Sequence, residues 1–268
     1  MVLDGSAAPA QMSTVLTTLC SRPFRGTGDR RPRGTMGWMQ RGTAVRAEQD
    51  TPRRPRPRLE RESIIEAGLE ITARPGTRTL SVRDLGQRLG SDPTAIYRHF
   101  RNKEDLVLHL LDTLTARAVA AVDAPAANWR ERLTQLSEAS LAQYTAHPAV
   151  GVEAITATTH GPGEKASVEL ILDAFTTAGL DERAAVAHYA LFAQYMMASA
   201  SGLARAVMET GATDPSVPWF DAVPTADPTA HPLLMRLGGQ LGELQDREVF
   251  RFGIAVILDA AERQARST

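Results

Sequence analysis

The chain has 268 residues, 43% of them hydrophobic, and a net charge of −1, enough apolar material for a sizeable core in one or two domains. No apolar run reaches the ~18 residues of a membrane span, and no basic-then-apolar leader or apolar stretch behind Arg30-Arg31 marks export. A single cysteine, Cys20, excludes a disulfide framework and fits a reducing, cytoplasmic setting.

Charge is unevenly distributed. Residues 1–57 hold 10 Arg against 4 acids, residues 58–117 hold 10 basic against 9 acidic side chains, and residues 118–268 hold 10 against 18. Positive charge at one end orients the approach of a polyanion. Residues 1–57 are rich in Gly, Pro, Ser, Thr and Arg without periodicity, so disorder is expected there. Their closing run, Pro52 to Arg58, reads either as a basic arm that follows nucleic acid or as a solvated tail.

From Leu59 to Ala73 the spacing of Ile64, Ile65, Leu69 and Thr72 predicts a helix, ended by Arg74-Pro75-Gly76. Ser81 with Asp84 forms a capping box, after which Val82, Leu85 and Leu89 make a short apolar stripe. Gly90 suits the left-handed conformation that stops this helix. Asp92 caps the next helix, predicted over Pro93 to Phe100, with Pro93 where its missing N–H costs nothing. Ile96 and Phe100 face inward, leaving Thr94, Ala95, Tyr97, Arg98 and His99 outward, and Gly86 allows the two helices to cross closely. Two short helices around a Gly-containing turn, about 81–100, describe a helix-turn-helix DNA reader. Asn102 then caps a helix opening Lys103-Glu104-Asp105 and continuing through Leu106, Leu110 and Leu114. The three-helix unit occupies about 58–102, and a fourth helix leads out of it.

Long Ala/Leu-rich stretches with helical period follow, so the fold class is all-α: an N-terminal three-helix bundle with helix-turn-helix (58–117) and a C-terminal helical domain (118–268). His147-Pro148 marks a helix end, and Gly161-Pro162-Gly163 separates two helices. Ala184 to Val207 is crowded with small residues. Gly211 to Pro232, with five prolines and Trp219-Phe220, is a long non-periodic loop that is either functional or disordered. Val249 to Ala261 is apolar nearly all round and is expected to be buried on every side. No phosphate loop, HExxH, Cys/His cluster or nucleophile elbow is present, and the six histidines lack ligand spacing. The chain is therefore not expected to be an enzyme, and no metal or cofactor is expected.

Ile64, Ala67 and Leu69, then Leu80-Ser81-Val82-Arg83-Asp84-Leu85, Leu89-Gly90, Thr94, Ile96-Tyr97-Arg98-His99-Phe100 and Asn102-Lys103-Glu104-Asp105-Leu106, together resemble the N-terminal domain of the tetracycline-repressor (TetR-type) family of bacterial transcription regulators. The remainder resembles that family's C-terminal domain more weakly, at Trp129, Val249-Phe250-Arg251-Phe252-Gly253-Ile254 and Ile257-Leu258-Asp259. The resemblance implies a homodimer on a near-palindromic double-stranded operator, released by a small-molecule effector. It implies phosphate or groove-edge contacts from Ser81 and Arg83 and base-facing roles for Thr94 and Ala95. Tyr97 and His99 are implied as backbone or base-edge contacts, Arg98 as the residue setting sequence preference, and Lys103 as a phosphate clamp. The ligand pocket it implies lies among Leu133, Leu136, Gln143, Tyr144, Glu153, Thr156, Thr159, His160 and Phe175, with Leu141, Val152, Ile155, Leu170 and Ile171 as further wall candidates. The histidine, asparagine and phenylalanine that grip drug and magnesium in the tetracycline repressor have no convincing counterparts, so a largely apolar effector other than tetracycline is expected. The alternatives are an interaction or sensor module on the same fold without sequence-specific DNA binding, and an all-α enzyme.

Overall fold

A computed structural model describes residues 59–211, 218 and 224–267. The extension 1–57 with its basic run and Cys20, and the Trp219-Phe220 pair, lie outside them. Ten helices succeed one another among the described residues: α1 (Arg61–Thr72), α2 (Val82–Arg88), α3 (Pro93–Ile96), α4 (Lys103–Ala120), α5 (Trp129–Ala146), α6 (Pro148–Gly151), α7 (Pro162–Thr177), α8 (Glu182–Thr210), α9 (Pro232–Glu243) and α10 (Asp246–Ser267). The fold is all-α, and an isolated bridge between Pro218 and Gln245 is its one extended pairing among those residues. No helix among them is long and apolar enough to cross a membrane.

Local capping sets the early helix starts. Ser81 Oγ accepts from Asp84 N at 3.2 Å, Asp92 Oδ1 from Thr94 N at 2.8 Å, and Asn102 Oδ1 from Asp105 N at 2.7 Å. Each such cap contributes about 1 kcal/mol. Gly90 takes φ 61°, the left-handed stop expected of it. Ile64, Leu85, Ile96 and Phe100 then bury against Leu106 and Leu110 of α4, and the same core continues through Leu133, Phe175, Phe192 and Phe250. Helix α4 packs on α1 and also on α5, α6 and α7, so the two halves share one hydrophobic interior.

Within the single chain the C-terminal helices bury only part of their apolar surface. Helix α10 is not buried all round: Phe250, Ile254, Ile257 and Leu258 enter the core, but Phe252 is 72% exposed and Val256 44%. Val186 and Leu191 of α8 are exposed as well. The intrachain core takes only one stripe from each helix, and the second apolar stripe stays uncovered in the single chain.

Where α8 crosses α10, Tyr195 stacks on Phe250 and donates its hydroxyl to Val249 O at 2.8 Å. A Cβ at Gly253 would overlap the Tyr195 ring. Helix propensity alone favours Gly253→Ala by ~0.5–1 kcal/mol. The crossing reverses that sign: we expect the variant to lose about 1–3 kcal/mol and to melt lower in a thermal denaturation scan. A variant melting at or above the parent would show that Tyr195 moves freely.

Candidate nucleic-acid interface and the cavity behind it

The reader is built on a close crossing. A Cβ at Gly86 would lie 3.0 Å from Ser91 O and 3.1 Å from Pro93 Cγ, so α2 and the start of α3 touch backbone to ring. The α3 helix is shorter than the predicted span of Pro93 to Phe100. Regular α-helix ends at Ile96, and the chain continues in tight turns, Arg98 N bonding Ala95 O and His99 N bonding Ile96 O at 3.3 and 3.0 Å. The reason is the anchor that follows. Phe100 is drawn into the core under the Arg61 guanidinium, 5.1 Å from the ring centre, and against His109, and Asn102 must be extended to cap α4.

On this frame Thr94, Tyr97, Arg98 and Arg83 are exposed, with Tyr97 at 46%, while Ser81, Ala95, His99 and Lys103 are half-buried. Two of these side chains already hold partners. Thr94 Oγ1 donates to Asp92 Oδ1 at 2.6 Å, which with the Thr94 amide holds the Asp92 carboxyl below its ordinary range. Lys103 Nζ donates to Thr79 Oγ1 at 2.6 Å, so the lysine is steered across the loop preceding α2. Thr79 is absent from the sequence expectations, since nothing local marks a threonine 24 positions away as a tether.

Helix α1 is tied to α2 by Arg88 and Glu70, 2.8 Å apart, and to later helices at three further points. Arg61 bonds His109 of α4, and Arg117 of α4 bonds both carboxylate oxygens of Glu66 at 2.6 and 2.7 Å. His147, at the α5–α6 junction, sets Nδ1 3.1 Å from Leu69 O and 3.4 Å from Thr72 Oγ1. That junction is the helix end expected of His147-Pro148. Burial lowers His147 below its ordinary value, against the raising effect of the Leu69 carbonyl. His109 is lowered by burial and by the Arg61 charge, with Asp105 and Asp112 opposing.

A cavity of about 200 Å3 lies among α4, α5, α7 and α8. Leu111, Ile171 and Met196 supply apolar wall, and Thr115, Tyr144, Thr159 and Glu164 supply polar groups. Tyr144 Oη and Thr115 Oγ1 are 3.2 Å apart, and burial pushes the phenol up, keeping it protonated at neutral pH. Of the expected pocket residues, Tyr144 and Thr159 line this cavity. Leu133, Leu136 and Phe175 do not, because their helix phases turn them wholly into the core. Gln143, on α5, does not line this cavity either, nor do Glu153, Thr156 and His160: α6 is a single turn, and the chain beyond it leaves those three exposed, Ile155 with them. Among the wall candidates, Leu141 and Leu170 are core and only Ile171 reaches the cavity.

Behind the cavity stands a buried carboxylate that the sequence does not announce. Asp112 of α4, 6% exposed, accepts from Gly163 N at 3.1 Å, Glu164 N at 3.0 Å and Thr159 Oγ1 at 2.8 Å. These two amides belong to the first turn of α7, whose own flanking residue Gly161 has no side chain to cap it. A Cβ at Gly161 would overlap the Asp112 carboxyl, and one at Gly163 would overlap the Asp112 backbone oxygen. The Gly161-Pro162-Gly163 breaker is therefore also the clearance for α4. Among the described residues, no group of three His, Cys, Asp or Glu side chains could hold a metal ion.

Comparison with known proteins agrees with this arrangement. The description of bacterial regulatory proteins of the tetR family matches residues 64–110, and that of the tetracyclin repressor-like C-terminal domain matches residues 123–264, more than half of the chain. An HTH-type transcriptional regulator of Saccharopolyspora erythraea is 28% identical over 148 residues, 55% of this chain and 62% of that relative's length. The HTH-type transcriptional repressor DrrR1 of Streptomyces coeruleorubidus is 26% identical over 224 residues, 80% of this chain and 82% of that protein. Among solved structures, the Streptomyces coelicolor regulator SCO7222 superposes with TM-score 0.61 at 25% identity, covering 76% of this chain and 98% of that one. ActR from the same organism, solved with actinorhodin, gives TM-score 0.62 at 21% identity over 77% of this chain and 98% of its own, a likeness of fold.

The two seam histidines give a pH expectation with a definite sign. Both have folded values below the ordinary 6.5, so just below pH 6.5 the unfolded chain binds more protons. Their contribution to stability is whole above 6.5 and lost as pH falls through the window beneath it. We expect the melting temperature to hold from about pH 8 to 7 and to decline toward about pH 5, with a His147→Asn, His109→Gln double variant declining less steeply. Identical slopes for parent and double variant would remove these histidines as the cause.

Proposed function

The chain belongs to the tetR family of bacterial regulatory proteins, which are transcription regulators and not enzymes, and we propose that it is a cytoplasmic, homodimeric, ligand-responsive repressor. It holds a near-palindromic double-stranded operator and is released by a small, largely apolar effector. The observation that carries the reading is a single helix. Helix α4 begins three residues after Phe100 of the reader and, two to three turns later, lines the cavity with Leu111 and Thr115.

In this reading Arg83 and Ser81 at the start of α2, and Lys103 at the start of α4, hold phosphates, where helix N-termini add their dipoles. Tyr97, Arg98, Thr94, Ala95 and His99 face the groove. Arg98, exposed and forming none of the ion pairs found among the described residues, is the side chain placed to bond a guanine edge. The uncovered stripes of α8 and α10, with Leu191, Phe252 and Val256, supply the apolar surface of a two-fold contact. That contact sets two α3 elements about one DNA turn apart, ~34–36 Å. Coupling of about 2.7 kcal/mol between cavity and operator changes affinity roughly 100-fold, within the range typical of allostery.

Three expectations follow from the reading. With a duplex selected by the full-length protein from random DNA, Tyr97→Ala and Arg98→Ala each weaken binding in a mobility-shift titration by about 1–3 kcal/mol; unchanged affinity in both would remove α3 as the recognition element. Added salt weakens the complex steeply, whereas a flat response favours an interaction module that does not read DNA. Phe252→Glu shifts the sedimenting species from dimer to monomer; a parent that sediments as a monomer would refute the two-fold contact.

A further inference from the structure

We propose that Asp112 is the positioning residue through which the cavity governs the reading head, with the Thr159 hydroxyl as the element that changes partner. The inference rests on the reading above, in which the cavity is the effector site and α4 carries the reader.

The geometry contains an unresolved competition. Thr159 Oγ1 lies 2.8 Å from Asp112 Oδ1 and 2.9 Å from Glu164 Oε2, both carboxylates, and a threonine has one hydroxyl hydrogen to give. It also accepts from Gly161 N at 3.2 Å. Glu164 Oε2 already takes the amides of Thr159 and His160 at 2.6 and 2.8 Å. The hydroxyl therefore satisfies one carboxylate and leaves a lone-pair contact with the other. Both Thr159 and Glu164 line the cavity, while Asp112 lies behind it on α4.

An occupant that bonds Glu164 or Thr159 settles the competition. When it engages Glu164, the Thr159 hydrogen passes wholly to Asp112, and the 159–164 segment grips α4 by three bonds. When it takes the Thr159 hydroxyl, Asp112 keeps only the two α7 amides. In either case the change reaches α4 at Asp112, ten residues after the Asn102 cap, and Leu111 and Thr115 beside it feel the same occupant. The close packing at Gly161 and Gly163 leaves no slack to absorb the shift between α7 and α4.

The test uses reciprocity: if cavity and operator are coupled, DNA must alter the cap. Hydrogen exchange is followed in the full-length protein, with and without the selected duplex, for peptides over 93–103 and 159–166. In the parent, duplex protects 93–103 and changes exchange of the Gly163 and Glu164 amides by about 5-fold or more, the lower end of typical coupling. Thr159→Val keeps the two amide bonds to Asp112, so those amides stay protected, but their response to duplex disappears. Asp112→Asn, which places a donor in the cap, exposes them even without DNA; should it fail to fold, Thr159→Val alone decides. Protection of 93–103 with no change at 159–166 in the parent would overturn the coupling while leaving the regulator reading intact, and so would a Thr159→Val response equal to the parent's. Failure to select any duplex would overturn both.

Discussion

Successive turns of α4 present Leu110 and Arg117 to α1, and Leu111, Asp112 and Thr115 to α7 and the cavity, so the helix is held on opposite sides by the two halves of the chain. A rod gripped on both flanks in a close-packed interior does not bend gradually; it shifts between arrangements. The rest of the molecule is organised around that constraint. Gly68 admits Leu110 at 3.1 Å from where a Cβ would stand, and the glycines before α7 admit Asp112. The Arg117–Glu66 ion pair and the Arg61–His109 hydrogen bond sit toward solvent, where they add direction more than energy.

The reader illustrates how much of such a structure is written locally. Its caps connect a side chain to an amide two or three residues onward, so Ser81, Asp92 and Asn102 disclose their helices without any knowledge of the fold. Gly90 and Gly86 were readable for the same reason, one through its backbone conformation and one through its place between two predicted helices. What the reader lost was the length of α3. Apolar spacing continues to Phe100, but the demand for an extended Asn102 tightens the final turn, and that demand comes from the next helix.

The cavity was less legible, because its chemistry is long-range. Asp112 caps a helix that begins 50 positions later in the chain, and an aspartate inside an apolar helical stripe looks like any solvated face. Leu133, Leu136 and Phe175 had the right composition for a wall and the wrong helical phase. Glu153 and Thr156 followed a helix that proved to be one turn long, so periodicity no longer fixed their direction. The outermost helix shows the converse. Its apolar circumference was visible in the letters, but only the fold shows which half the chain's own core uses and which half it leaves exposed.

If α3 reads the operator as proposed, the bond from Thr94 to Asp92 bears on how operator preference can drift over generations. Position 94 serves two masters: its hydroxyl hydrogen is pledged to the residue that opens the recognition element, so replacing it to suit a new base also loosens that element. Tyr97 and Arg98 carry no comparable second duty, being outward-facing and past the helix start. On the proposed reading, new target sites are therefore most readily explored through those two positions, with the threonine kept as a fixed point from which the altered side chains are measured.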